Sequence, residues 1–152
     1  MPRPPRLQVP GGIFHVTSRG NRRQSIYHDD HDRTMFLILR DRAVQRYGWG
    51  LHAHCLMTNH FHMLVETPEP NLSEGMHRLN GGYARYFNDR YEVDGHLFDR
   101  RFGSRLIETD EDLAGVLDYI AYNPVEAGLC AHPWEWRWSS FYGRRPDRQG
   151  RS

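Results

Sequence analysis

The sequence predicts an α+β fold, a ferredoxin-like split β-α-β antiparallel sheet with helices on one face and an additional C-terminal helix. Strand-type and helix-type hydrophobic patterns follow the order β-α-β-β-α-β, and a further helical pattern comes after the last strand. The chain has 152 residues, 38% of them hydrophobic, which suits one globular domain. We therefore expect a single domain over residues 1–152, with its core at about 10–142 and basic, flexible ends outside it.

The predicted elements follow one another as a strand at 12–17, a helix at 31–47, strands at 49–57 and 60–66, a helix that begins at Asn71 and includes Tyr86, and a strand at 104–108. Residues 12–17 have the sequence GIFHVT, whose alternation of apolar and polar side chains is typical of a half-buried strand. Asp30 is a suitable N-cap for the first helix, and Gly48 ends it. Thr58-Asn59 joins the two central strands, which predicts a hairpin.

Capping and turn residues also bound the later elements. Asn71 is followed three residues later by Glu74, a pattern typical of a helix start. Gly81-Gly82 inside this helix lowers its stability and indicates either a bend or a close backbone approach. Asp94-Gly95 predicts a turn before the fourth strand. The additional helix begins after Thr109, and we expect Pro124 to end it.

Composition excludes several classes of protein. The longest apolar stretches, such as residues 35–39, are far too short to cross a bilayer, and the N-terminus lacks the apolar segment of a signal peptide. The two cysteines form no CxxC pair and no secreted disulfide pattern, so a reducing cytoplasm is expected. Membrane-spanning, disulfide-rich secreted and fibrous proteins are therefore excluded.

Charge is segregated along the chain although the net charge is only +1. All 20 basic residues are arginines; five of them lie in residues 1–28, which contain no acid, and another five lie in residues 137–152. Residues 108–126 contain six acids and no arginine. A GC-rich genome would explain the absence of lysine but not the segregation. Because arginine makes bidentate contacts to phosphate, the pattern indicates a polyanion bound near one patch.

A pair of histidines is the first candidate for chemistry. His60 and His62 flank Phe61 in a predicted strand, and residues two apart in a strand point to the same face. Two neighbouring imidazoles often supply half of the protein ligands in a divalent-metal site. The alternative is that they are two ordinary strand residues.

Tyr119 and Asn123 form a second candidate pair on the additional helix. They are four residues apart and therefore lie one above the other, beside the predicted buried stripe of Leu113, Val116, Leu117 and Ile120. An amide oxygen is a hard ligand that suits Mg²⁺ or Mn²⁺. The alternative is a half-buried aromatic residue followed by a C-cap before Pro124.

Four motifs, in order along the chain, resemble those of REP-associated tyrosine transposases, which belong to the single-tyrosine HUH transposases. They are HCLMTNHFHMLVETP, GHLFDRRFGSRLIE, YIAYNPVEAGL and WEWRWSSF, and the resemblance covers about residues 10–142. It implies that His60, His62 and Asn123 bind a divalent metal, Mg²⁺ or Mn²⁺, and that Tyr119, on the C-terminal helix, is the nucleophile. Two departures stand out: Gly103 replaces a lysine common in the family, and Ala121-Tyr122 replaces His-Leu.

The resemblance further implies a metal-dependent enzyme that cleaves and rejoins single-stranded or hairpin DNA through a 5′-phosphotyrosine intermediate. Its substrate would be REP-like palindromes, its location the cytoplasm at the nucleoid, and its state a monomer or homodimer. Six arginines near the first and fourth strands are candidate phosphate contacts: Arg19, Arg22, Arg23, Arg100, Arg101 and Arg105. The alternatives are a catalytically lapsed, domesticated DNA-hairpin-binding protein and an unrelated HxH metalloenzyme with a small-molecule substrate.

Overall fold

The computed structural model describes residues 10–146, in which four strands, three α-helices and two short 3₁₀ helices are formed. In chain order they are β1 (Gly12–Arg19), a 3₁₀ turn (Asn21–Arg23), α1 (Asp30–Tyr47), β2 (Gly50–Leu56), β3 (His60–Thr67), α2 (Leu72–Tyr91), β4 (Gly103–Leu106), α3 (Asp110–Glu126) and a second 3₁₀ turn (Pro133–Glu135). The sheet order is β2-β3-β1-β4, and all neighbouring strands are antiparallel. The predicted ferredoxin-like α+β fold is confirmed.

Helices cover both faces of the sheet. On one face α1 and α2 enclose the larger core, whose side chains include Phe14, Phe36, Phe61 and Tyr83. On the other face α3 packs Val116 and Ile120 against β2 and β3. The prediction of helices on one face therefore holds for α1 and α2, whereas α3 lies opposite them. This arrangement explains why Met63, Leu64 and Val65 of β3 are all buried, since a strand covered on both faces loses its apolar–polar alternation.

Two predicted boundaries are corrected by the structure, and a third, the start of α2 after Asn71, is confirmed without a side-chain cap bond. The N-cap of α1 is Asp29, whose carboxylate accepts a hydrogen bond from the backbone N–H of Asp32 at 3.0 Å, and Asp30 is the first helical residue. Asn71 precedes α2, but its side chain accepts from the Trp49 indole at 2.9 Å and does not cap the helix. The fourth strand is shorter than predicted and starts one residue earlier, at Gly103.

Pro124 does not end α3, contrary to the prediction. The helix continues to Glu126 with the proline inside its last turn. The backbone N–H groups of Ala127 and Leu129 bond the carbonyls of Asn123 and Pro124 at 3.1 and 2.9 Å, so the end of the helix is satisfied around the proline. Asn123 therefore keeps its helical position one turn after Tyr119.

None of the helices within residues 10–146 is long and apolar enough to span a membrane. The arginines predicted to make the chain ends basic lie partly beyond this range: Arg3, Arg6, Arg148 and Arg151 fall outside the described residues.

A buried carboxylate connects the first turn of α1 to the end of α2. Asp32 is fully buried and accepts hydrogen bonds from Tyr86 (2.8 Å), Tyr91 (2.6 Å) and Arg90 (2.6 Å). Burial by itself would raise the pKa of Asp32, but these hydrogen bonds and one from the backbone lower it below its usual value.

We expect Asp32→Ala to lower the free energy of unfolding by about 3 kcal/mol, because it leaves the partners of a buried charge without an acceptor. Urea denaturation measures this loss. Asp30→Ala is the matched control, since within residues 10–146 the side chain of Asp30 makes only an exposed 3.4 Å ion pair with Arg137. Equal losses in the two variants would contradict the role given to Asp32.

Candidate active site

The candidate site lies on the face of the sheet that α3 covers. In the β1–β3 register Thr17 is opposite His62 and Arg19 is opposite His60, so these four side chains share one face. His15, two residues before Thr17, lies on the same face. The predicted convergence of the two histidines is a consequence of the strand period.

His60 faces the amide of Asn123. Its Nδ1 lies 2.7 Å from Oδ1 of Asn59, and its Nε2 lies 3.4 Å from Oδ1 of Asn123. Because an amide oxygen only accepts, Nδ1 carries the ring proton and Nε2 presents a lone pair to a second acceptor. Two facing acceptors are stabilised by a cation between them. Neighbouring ligands of an octahedral ion at about 2.1 Å are about 3 Å apart, close to the separation found here.

His62 has one ring nitrogen in use and one orphaned. Its Nδ1 lies 3.0 Å from Nε2 of His15, with the two rings stacked at 5.2 Å between centroids. Among residues 10–146, its buried Nε2 has no hydrogen-bond partner. The His60 and His62 rings lie 5.0 Å apart at 85°. An unsatisfied buried nitrogen beside the His60–Asn123 pair is the donor that a metal ion would use.

Both imidazoles are held in the form that binds a metal. Burial is the main reason why the pKa of His62 is lowered to about 3. Neighbouring His60, His15 and Arg19 lower this pKa further, whereas the Asn123 amide raises it. Burial also lowers the pKa of His60. Neither histidine therefore has to lose a proton at neutral pH before it can act as a ligand.

The donor set leaves coordination positions open, unlike that of a structural zinc site. Within residues 10–146, no three or more His, Cys, Asp or Glu side chains are grouped so that they could hold a metal. Two imidazoles and one amide oxygen leave several coordination positions to water, as Mg²⁺ usually requires, whereas structural zinc is closed by four protein ligands.

Tyr119 lies directly against the histidines. Its ring contacts the His62 ring edge-on at 5.4 Å between centroids and the His15 ring at 5.9 Å, and the residue is 51% exposed. It lines a cavity of about 530 Å³ together with His60 and His62. Tyr122, the other tyrosine of α3, is 49% exposed and is not among the residues that line this cavity.

The six predicted arginines are not all in one place. Arg19, Arg100 and Arg101 line the cavity that contains Tyr119. Arg22 and Arg23 are exposed in the turn after β1, with φ values of 55° and 59°. Arg105 points toward α3 and forms a 2.8 Å ion pair with Asp112.

Gly103 also lines the cavity, so the position where the family often has a lysine is at the site. A Cβ atom here would lie 3.0 Å from Oγ1 of Thr17, which means that Thr17 would have to shift for a side chain to fit. The glycine leaves this part of the cavity open.

His15 is the functional candidate that the sequence prediction missed. The alternation of GIFHVT placed it on the polar face of β1, but nothing local indicates that this face lies beside His62, 47 residues away. Burial and the nearby Arg105 lower the pKa of His15, while Asp112 opposes them, so its imidazole is neutral and can accept a hydrogen bond.

A family model and a sequence relative both match most of this chain. The family model described as "Transposase IS200 like" matches residues 8–123. A Haemophilus influenzae protein named as a REP-associated tyrosine transposase is 31% identical over 144 residues, which cover 87% of this chain and 81% of that protein.

Two solved structures share the fold. A REP-associated tyrosine transposase bound to a REP hairpin superposes with a TM-score of 0.79 at 20% identity, over 96% of this chain and 89% of that one. A Deinococcus radiodurans protein described as a transposase gives a TM-score of 0.53 at 20% identity, over 79% and 94% of the two chains.

Proposed function

The chain belongs to the family of IS200-like transposases, and from this premise we propose that it cleaves and rejoins single-stranded, hairpin-forming DNA with Tyr119 as the nucleophile. The observation that carries the proposal is the contact between the exposed Tyr119 ring and buried His62, whose Nε2 has no hydrogen-bond partner in the described part of the chain. The substrate class, REP-like palindromes, is supported by the related transposase solved with a REP hairpin. With DNA as substrate, the proposed activity belongs in the cytoplasm at the nucleoid.

His60 and His62 through Nε2, and Asn123 through Oδ1, would hold one Mg²⁺ or Mn²⁺. When bound, such an ion polarises the scissile phosphate and neutralises charge on its oxygens. Other parts of the chain hold the ligand side chains in position. Asn59 orients His60 by accepting its Nδ1 proton, and α3 carries Asn123 to within 3.4 Å of the His60 ring.

Tyr119 would supply the attacking oxygen. Its hydroxyl oxygen bonds to phosphorus while the bond from phosphorus to the 3′-oxygen breaks, which gives a 5′-phosphotyrosine and a free 3′-hydroxyl. Attack by another 3′-hydroxyl reverses the step, releases Tyr119 and rejoins the strand. Because one phosphodiester replaces another, no nucleotide hydrolysis is needed.

The arginines would hold the strand by its phosphates. Arg19, Arg100 and Arg101 line the cavity beside Tyr119, whereas Arg22 and Arg23 lie in the turn after β1 and Arg105 lies in β4. Counterion release makes such binding weaken steeply as salt rises. Arg105 would have to exchange its ion pair with Asp112 for a phosphate contact.

His15 would act as a positioning residue. If His62 donates its Nδ1 proton to Nε2 of His15 at 3.0 Å, its own Nε2 is left free for the metal. We expect His15→Phe, which keeps a ring but loses the acceptor, to weaken Mn²⁺ binding about 10- to 100-fold. We expect His15→Gln, whose amide oxygen can accept the bond, to restore most of it.

Electron paramagnetic resonance of Mn²⁺ measures this affinity without any turnover. Circular dichroism checks that both variants fold. Unchanged Mn²⁺ affinity in His15→Phe would show that the His15–His62 contact is packing only.

Covalent capture tests the proposed function. The protein is incubated with a synthetic DNA hairpin that has single-stranded flanks, with Mg²⁺ or Mn²⁺, and a protein–DNA adduct is sought after denaturation. An adduct on Tyr119 supports the proposal. Hairpin binding without any adduct would favour the catalytically lapsed alternative. The small-molecule metalloenzyme has little support, since the described residues contain no group of three or more His, Cys, Asp or Glu side chains that could hold a metal ion.

A further inference from the structure

Four arginines line a groove between α1 and α2, on the face of the molecule opposite Tyr119. They are Arg42, Arg46, Arg78 and Arg85, all exposed, around a cavity of about 560 Å³. None of the residues described as lining the groove is acidic. The groove is therefore a concentrated positive surface that the catalytic site does not use.

These arginines lack internal partners. Within residues 10–146 none of the four forms an ion pair or a side-chain hydrogen bond, although Arg40 and Arg90 of the same two helices do. Arg46 makes only a contact with the face of the Tyr47 ring, at 5.7 Å. Clustered like charges repel one another, so an anion from outside would stabilise the groove.

Two glycines form part of the groove. Gly81 and Gly82 lie in the middle of α2, where glycine is the least favourable residue apart from proline, yet the helix runs through them without interruption. A Cβ atom at either position would meet no atom within 4 Å, so packing inside the described chain does not require glycine. The missing side chains leave the helix surface open to close approach by a ligand.

The groove connects with the catalytic cavity. It shares His77 and Gly81 with a second cavity of about 610 Å³ between α2 and residues 95–102. That cavity in turn shares Arg100 and Arg101 with the cavity that contains Tyr119. A continuous surface therefore runs from the arginine groove to the nucleophile.

We propose that the arginine groove binds the phosphodiester backbone of the paired stem of a DNA hairpin, while the unpaired strand follows the second cavity to Tyr119. This proposal rests on the proposed function and adds a stem-binding surface to it. Binding of single strands usually relies on aromatic stacking. Among the described residues that line the groove there is no Phe, Tyr or Trp, whereas the second cavity contains Phe98 and Phe102. Charge alone suits the backbone of a duplex.

The test compares two charge-matched variants. Arg42→Gln/Arg78→Gln removes two groove charges, and Arg144→Gln/Arg145→Gln removes two exposed charges elsewhere. With a flanked hairpin as probe, we expect the groove variant alone to lose at least about tenfold in affinity at 0.1 M salt, and its salt slope to fall by about two. A single strand without the stem should bind both variants like the wild type.

A third variant separates binding from stability. Gly82→Gln fills the groove with a neutral side chain that favours helix more than glycine does, so the melting temperature should rise or stay unchanged while hairpin affinity falls.

The proposal would be overturned if Arg42→Gln/Arg78→Gln and Gly82→Gln both bound the hairpin with wild-type affinity. It would also be overturned if the control Arg144→Gln/Arg145→Gln lost as much hairpin affinity as Arg42→Gln/Arg78→Gln. If the wild type forms the Tyr119 adduct in the same experiment, the proposed function stands even when the stem-binding surface fails. If the wild type neither binds the hairpin nor forms the adduct, the proposed function itself fails.

Discussion

We expect the His60→Ala/His62→Ala variant to bind Mn²⁺ more than about a hundredfold more weakly than the wild type, and to form no detectable covalent DNA adduct. Loss of a residue that merely orients a ligand costs about 10- to 100-fold in metal affinity, and this variant loses two of three ligand atoms. The scissile phosphate also loses the charge stabilisation that a bound ion supplies, which is worth several kcal/mol. Mn²⁺ titration followed by electron paramagnetic resonance measures the first effect, and denaturing gels measure the second.

A histidine elsewhere in the sheet provides the matched control. His52 lies on β2, has a side chain 43% exposed and makes a 2.8 Å contact with Glu66, away from the site. We expect His52→Ala to bind Mn²⁺ and form the adduct like the wild type. Because His62 is buried, thermal melting must accompany the comparison, and the single variant His60→Ala serves if the double variant does not fold. Normal Mn²⁺ affinity in a folded variant without His60 would refute the metal site.

The features that the sequence predicted are those that depend on local patterns. The period of two in β3 places His60 and His62 on one face whatever the rest of the chain does. Thr109 caps α3 through a 3.0 Å bond to the backbone N–H of Asp112, three residues away. Strand order follows from the β-α-β-β-α-β pattern because few topologies satisfy it.

The features that were missed depend on contacts between distant segments. His15 became a candidate only when the register of β1 against β3 brought it to His62. The sequence did not show that α3 packs on the opposite face, because both faces of the sheet carry similar apolar side chains. Pro124 was expected to end α3, but bonds from Ala127 and Leu129 complete the turn around it.

The second large effect concerns the nucleophile. We expect Tyr119→Phe to abolish adduct formation while hairpin affinity stays within about twofold of the wild type, because one hydroxyl is lost and no phosphate contact is removed. The Tyr119 ring packs edge-on against His62 and His15, and phenylalanine keeps both contacts. The residue is 51% exposed, so the fold should not depend on the hydroxyl.

Tyr122 gives this prediction its control, because it lies on the same helix with nearly the same exposure, 49%, but does not line the catalytic cavity. Tyr122→Phe should therefore form the adduct at the wild-type rate. Mass spectrometry of the proteolysed adduct identifies the modified peptide and distinguishes the two tyrosines directly. Adduct formation that survives Tyr119→Phe, or a DNA fragment found on Tyr122, would assign the nucleophile to the neighbouring turn of α3. The cavity beside His62 would then need another role, since an oxygen outside it could not attack a phosphate placed beside an ion that the two histidines and Asn123 would hold.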